Sequence, residues 1–158
     1  MPRVLVIDDD PGILKLVERT LGTRGYEVYT AANGTEGLNR VQATQPDIVI
    51  LDKVMPDIDG FEVARRLRRE PDFAHIPIVI LTGASQLGDK LDAFNAGADD
   101  YLTKPVDLFE LRKRASAIVE KRMLSRRVTE LESRLGEKFG RLIGKSKAME
   151  ALFRQMDL

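Results

Sequence analysis

The chain has 158 residues, 43% of them hydrophobic, enough for one ordinary domain with an extension. It contains no cysteine, which excludes a disulfide framework and any thiolate metal site. The 25 basic and 25 acidic residues cancel overall but not locally: residues 1–107 hold 18 acids and 12 bases (−6), residues 108–158 hold 7 acids and 13 bases (+6).

The N-terminal MPRVLVIDDD has no basic region, no apolar run of signal length and no cleavage site. No stretch approaches the ~18 apolar residues of a membrane span. A soluble, cytoplasmic protein with no membrane contact is expected. Arg3–Asp8 instead reads as a first strand. Asp10 before Pro11 fits an N-cap followed by proline at the first helical position, and Ile13, Leu14, Leu16, Val17 and Leu21 line the helix after it. Glu27–Thr30 is the second strand, and Leu38 and Val41 sit in the second helix. Asp47–Asp52 is an apolar third strand ending on a bare carboxylate, which is costly to bury without partners. Phe61, Val63, Ala64 and Leu67 line a third helix, Pro77–Thr82 forms the fourth strand, and Leu87, Leu91 and Phe94 line a fourth helix. Asp100–Thr103 is the fifth strand, and Gly25 and Gly97 sit where helices should end. Asp107 with Glu110 fits a capping box opening the last helix. Alternating strands and helices imply an α/β fold with a parallel sheet covered on both faces.

Ligands of such folds bind outside the carboxyl ends of the strands. There the chain places Asp8, Asp9 and Asp10, then Asp52, Thr82 and Lys104. Each has a plainer reading. Asp10 is the cap, Thr82 can start a loop, and a lysine is usually on the surface. Asp8 and Asp9 cannot both be caps. Together the group reads as a site. Clustered carboxylates stay ionised only beside a cation. Oxygen donors without His or Cys suit magnesium. A carboxylate held there can attack a phosphoryl group, with the metal and Lys104 neutralising the transferring oxygens.

The residues VLVIDDD at 4–10, LDKVMPDIDG at 51–60, ILTGAS at 80–85 and DDYLTKP at 99–105 resemble the receiver domain of two-component response regulators. The resemblance covers about residues 3–120. It implies a doubly wound, flavodoxin-like sheet of five strands in order 2-1-3-4-5. It implies Asp52 as phosphate acceptor, Asp8 and Asp9 as the magnesium acids, and the backbone carbonyl of Val54 as a further ligand beside Asp52. Thr82 and Tyr101 match the switch pair, and Lys104 the phosphate-binding lysine. The Lys104–Pro105 bond matches a position that is often cis, and the donor would be a sensor histidine kinase. A phosphatase of the haloacid-dehalogenase type is the alternative, but its motif needs Thr or Val where Gly12 stands. A phosphorylation-independent dimerisation module is another.

From Asp107 no proline or glycine occurs until Gly136. Over 107–135 a helix would run roughly 43 Å. Leu124, Val128, Leu131 and Leu135 step by 4, 3 and 4, the seam of a short coiled coil. A homodimer through this linker, 121–138, is expected, with the receiver as residues 1–120. The scattered basic residues read as a solvated helix, with no direct nucleic-acid binding expected from this fragment. Residues 139–158, through Leu-Ile-Gly-x-Ser-x-x-Met, resemble the start of the AAA+ ATPase domain of sigma-54-dependent transcription activators of the nitrogen-regulatory type. No phosphate-binding G-x-x-x-x-G-K-[ST] loop occurs, so a fragment cut just inside that domain, binding no ATP, is expected.

Overall fold

The computed structural model describes residues 1–83 and 87–145. Five strands, β1 (Arg3–Ile7), β2 (Glu27–Ala31), β3 (Ile48–Asp52), β4 (Ile78–Thr82) and β5 (Asp100–Thr103), alternate with α1 (Pro11–Gly22), α2 (Gly34–Thr44), α3 (Gly60–Arg69), α4 (Leu87–Asn95) and α5 (Leu108–Lys145). All pairings are parallel, and the strand order is 2-1-3-4-5. This is the expected doubly wound α/β fold.

The sheet buries both faces, and alternation along each strand divides the core in two. Leu5, Ile7, Val49, Leu51, Ile78 and Ile80 meet Val41 of α2, Val63, Ala64 and Leu67 of α3, and Ala93 of α4. On the other face, Val4, Val6, Ile48, Ile50, Val79 and Leu81 meet Val17 and Leu21 of α1 and Leu111, Ala115 and Val119 of α5. Each large side chain so buried contributes about 1.5–3 kcal/mol.

Two helices turn differently from the sequence reading. Leu91 and Phe94 were expected to line the fourth helix, yet both are exposed, and α4 packs through Ala93. Small alanines let a short helix approach the sheet closely. Leu16 of α1 also faces solvent, because Val17 and Leu21 fix the buried stripe one position away.

The helix start at Asp10 follows the expected chemistry, and the capping box expected at Asp107 is half formed. Asp10 Oδ1 accepts from the Gly12 amide at 2.8 Å with Pro11 opening α1. Asp107 Oδ1 accepts from the amides of Phe109 and Glu110, while Glu110 itself turns to Arg114. Gly97 has φ +107°, and an added Cβ there would lie 2.5 Å from Arg68 Cγ.

The chain divides into two units, Met1–Val119 and a second beginning at Glu120. In the second, α5 does not stop at Gly136. It passes Gly136 and Gly140 and runs to Lys145. An isolated glycine costs a helix only about 1 kcal/mol, and good helix formers flank both. Leu124, Val128, Leu131 and Leu135 are all more than half exposed. Most of the segment resembling an ATPase start, 146–158, lies outside the described residues.

Candidate functional site: an acidic pocket at the strand ends

Winding reverses between β1 and β3, and the carboxyl ends of the strands are level there. Ile7 pairs with Leu51, Asp52 with Leu81, and Thr82 with Thr103. The register therefore brings the ends of four strands to one rim, where such folds bind ligands.

Asp8 follows β1 and is fully buried. Its Oδ1 accepts from the Asp10 amide at 2.9 Å, and its Oδ2 lies 3.2 Å from Lys104 Nζ. Asp52 ends β3 and is only 4% exposed. Its Oδ1 lies 3.0 Å from Lys104 Nζ and 3.4 Å from the Val54 amide. Lys104 is thus no surface lysine. It bridges two buried carboxylates that stand forty-four residues apart in sequence. It is held by the 2.7 Å bond from its amide to the Thr82 carbonyl, and the Lys104–Pro105 peptide is cis, as the resemblance implies.

Carboxylate oxygens of Asp8, Asp9 and Asp52 lie within 4.8 Å of one another. Lys104 bonds only two of these three acids, so negative charge is left over at the rim. Burial pushes the Asp52 carboxyl up to about 6; the nearby Asp8 charge adds to the rise, and Lys104 and the Val54 amide oppose it. Burial pulls Lys104 down, but its bonds to Asp52 and Asp8 outweigh this and leave it raised. An oxygen-only, strongly acidic set of this kind fits a hard divalent cation such as magnesium.

Thr82 and Val54 stand at or beside the carboxyl ends of their strands, and Tyr101 lies within β5. Thr82 closes β4 and is 1% exposed. Tyr101 pairs in register with Ile80, packs partly against the core, and lines a cleft of about 330 Å³ with Lys90, Phe94 and Arg114. The Val54 side chain is 69% exposed.

Three features gave no sequence signal. Asp57 accepts from the amides of Gly34 and Thr35 and from the Thr35 hydroxyl at 2.6–3.0 Å. Those bonds hold its carboxyl well below the usual range. Lys53 reaches Asp89 at 3.0 Å and lies over the Phe61 ring. The Arg68 guanidinium donates to the carbonyls of Gly97, Ala74 and Ile76 and pairs with Asp99 at 2.8 Å. All join residues distant in sequence or in different elements, and local spacing does not encode such pairs.

Residues 4–116 match the family model of the response regulator receiver domain. The chain is 46% identical over 121 residues to the DNA-binding dual master transcriptional regulator RpaA of Synechocystis, covering 77% of this chain and 50% of that protein. It is 34% identical over 150 residues to response regulator PleD of Caulobacter vibrioides, covering 95% of this chain and 33% of PleD. The chain thus spans about half the length, or less, of these curated relatives. The chemotaxis protein CheY4 of Vibrio cholerae superposes with a TM-score of 0.71 at 35% identity, over 75% of this chain and 98% of that one. The Francisella response regulator 1452 receiver domain gives 0.73 at 30% identity, over 77% and 98%. These matches leave the phosphatase alternative without support. With its 2-1-3-4-5 sheet and its acids and lysine gathered at one rim, the chain belongs to the response regulator receiver domain family.

Proposed function

We propose that the chain accepts a phosphoryl group from the phosphohistidine of a sensor histidine kinase onto Asp52. The observation that carries this is the Lys104 ammonium set between Asp52 and Asp8, with Asp9 beside them. A carboxylate oxygen of Asp52 forms the new P–O bond as the P–N bond to the kinase imidazole breaks. The imidazole leaves with the electron pair and takes up a proton, and Asp52 becomes an acyl phosphate. Lys104 neutralises one phosphoryl oxygen, and the Thr82 hydroxyl hydrogen-bonds another. Asp8, Asp9, Asp52 and the Val54 carbonyl would hold magnesium, which supplies charge neutralisation on the phosphoryl oxygens. The chain itself is a phosphoacceptor rather than a turnover enzyme.

Phosphorylation adds strong acceptor oxygens and negative charge in the pocket. Thr82 turns toward them and Tyr101 follows, which alters the surface of α4 and β5. The second unit then serves as a dimeric coiled-coil linker through Leu124, Val128, Leu131 and Leu135. For what lies beyond it, the support for a sigma-54-dependent AAA+ ATPase is the segment LIGKSKAM at 142–149. The names of RpaA and of the transcriptional regulatory protein PrrA of Mycobacterium leprae, 42% identical over 121 residues, favour transcriptional output in the broader sense. Among the described residues no helix is long and apolar enough to cross a membrane.

Beryllofluoride, an acyl-phosphate mimic, tests the pocket. It should bind the protein in the presence of magnesium and fail to bind Asp52→Asn, with Lys104→Met weakened strongly. Equal binding to Asp52→Asn would remove the assignment.

A further inference from the structure

The loop from Lys53 to Asp59 carries the Val54 carbonyl, yet the Val54 side chain does little to anchor it, being 69% exposed. Something else must fix that backbone. At its base the loop is closed by the Gly60 amide, which donates to the Lys53 carbonyl at 2.8 Å. Gly60 packs so tightly there that an added Cβ would lie 2.2 Å from the Asp52 carbonyl oxygen. Met55 is buried in the core. Beyond Met55 the loop turns back through Pro56 and Asp57 and crosses to α2.

At that crossing Asp57 makes the contact. Its Oδ1 accepts from the Gly34 amide at 3.0 Å. Its Oδ2 accepts from the Thr35 amide at 2.8 Å and the Thr35 hydroxyl at 2.6 Å. The start of α2 already has its own cap, since Asn33 Oδ1 accepts from the Glu36 amide. Asp57 therefore satisfies amides that the local cap leaves over. The two segments also pack flush, because a Cβ on Gly34 would lie 2.4 Å from Ile58 Cγ1. Charge-assisted bonds of this kind are short and about twice as strong as neutral ones. They tie the ligand-bearing loop to a helix that holds none of the metal acids.

We infer that Asp57 is a positioning residue for the magnesium site, clamping the 53–59 loop to the first turn of α2 and so fixing where the Val54 carbonyl stands. This rests on the proposed role of Asp8, Asp9, Asp52 and Val54 as the ion's ligands. Asp57 does not touch the ion. Its effect passes through the loop backbone, so it is read in the affinity for magnesium and not only in stability.

Calorimetric titration of magnesium into the unphosphorylated protein tests this, beside thermal melts of each variant. Partners that orient metal ligands typically matter by 10–100-fold, and for Asp57→Ala the dissociation constant should rise about tenfold. Asp57→Asn keeps the shape and one acceptor and should fall between. Thr35→Val removes only the hydroxyl bond and should weaken magnesium about twofold to threefold, a partial loss of the same clamp. If Asp57→Ala does not fold, the other two variants carry the test. Melting temperatures that drop while the Asp57 variants keep magnesium affinity within about twofold of the unsubstituted protein, and Thr35→Val leaves it unchanged, would make the clamp merely structural and overturn the inference. Failure of the metal site itself would look different: the unsubstituted protein would then take up no magnesium, and Asp9→Asn would change nothing.

Discussion

At Asp52 the proposed function and stability oppose each other. Its folded value of about 6 stands above the ordinary 3.8, so the folded state holds the proton more tightly than the unfolded chain. Any stability from that proton is complete below about 3.8 and is lost as pH rises through about 6. Ionised Asp52 therefore destabilises the magnesium-free fold at neutral pH. Asp52→Asn removes the ionisation while keeping an acceptor for Lys104. Its melting temperature without magnesium should exceed that of the unsubstituted protein by about 5 °C at pH 7, with the gap closing near pH 4. An Asn variant that is no more stable at pH 7 would contradict this. Val54 sets a second expectation. It can neither orient water nor act as a base, and its exposure leaves room for a longer side chain. Self-dephosphorylation should be slow, and Val54→Asn or Val54→Glu should speed it in a phosphate-release assay. Unchanged rates in both would show that water access is controlled elsewhere. Much of this pocket was legible in the sequence. Asp8, Asp52, Thr82 and Lys104 each stand at a strand end, and a parallel sheet brings strand ends together. Asp57 was not legible, because its partners, two backbone amides and one threonine hydroxyl, lie more than twenty residues upstream.

At the level of elements, the βα rhythm fixed the sheet, because continuous β-branched runs such as Ile48–Leu51 and Ile78–Leu81 suit strands buried on both faces. The facing of the helices was less accessible. Hydrophobicity alone assigned Leu91 and Phe94 to the core, whereas tight packing selected Ala93. The long last helix is present as expected and runs on past Gly136, because a glycine is only a weak helix breaker when good helix formers surround it. Arg68 shows what pattern reading misses entirely. In a run of arginines it looks like surface charge, yet it joins α3, the segment before β4 and the turn before β5. Arg68→Ala takes the guanidinium away from the carbonyls of Gly97, Ala74 and Ile76 and from Asp99, which keeps the Ile78 amide. The cost should be about 2–4 kcal/mol in urea unfolding, well beyond the effect of Arg65→Ala or Arg69→Ala. A loss below about 1 kcal/mol would mean that water replaces the guanidinium.

For the whole molecule, the proposed acid chemistry belongs to the receiver unit and the proposed association to the second unit. Leu124, Val128, Leu131 and Leu135 are 53–62% exposed on a lone helix. Covering each in a parallel pair gains about 1 kcal/mol, and this burial is what would draw two copies together. Sedimentation should show that dimer without phosphate, and Leu131→Asp should convert it to monomer. A monomeric starting protein would remove the seam. Everything else depends on where the phosphoryl group goes. The decisive measurement is peptide mapping by mass spectrometry after incubation with acetyl phosphate and magnesium. The phosphoryl group should be found on the peptide holding Asp52, and Asp52→Asn should carry none. Labelling at Asp8 or Asp9, or undiminished labelling of Asp52→Asn, would contradict the assignment of Asp52 as the phosphoacceptor.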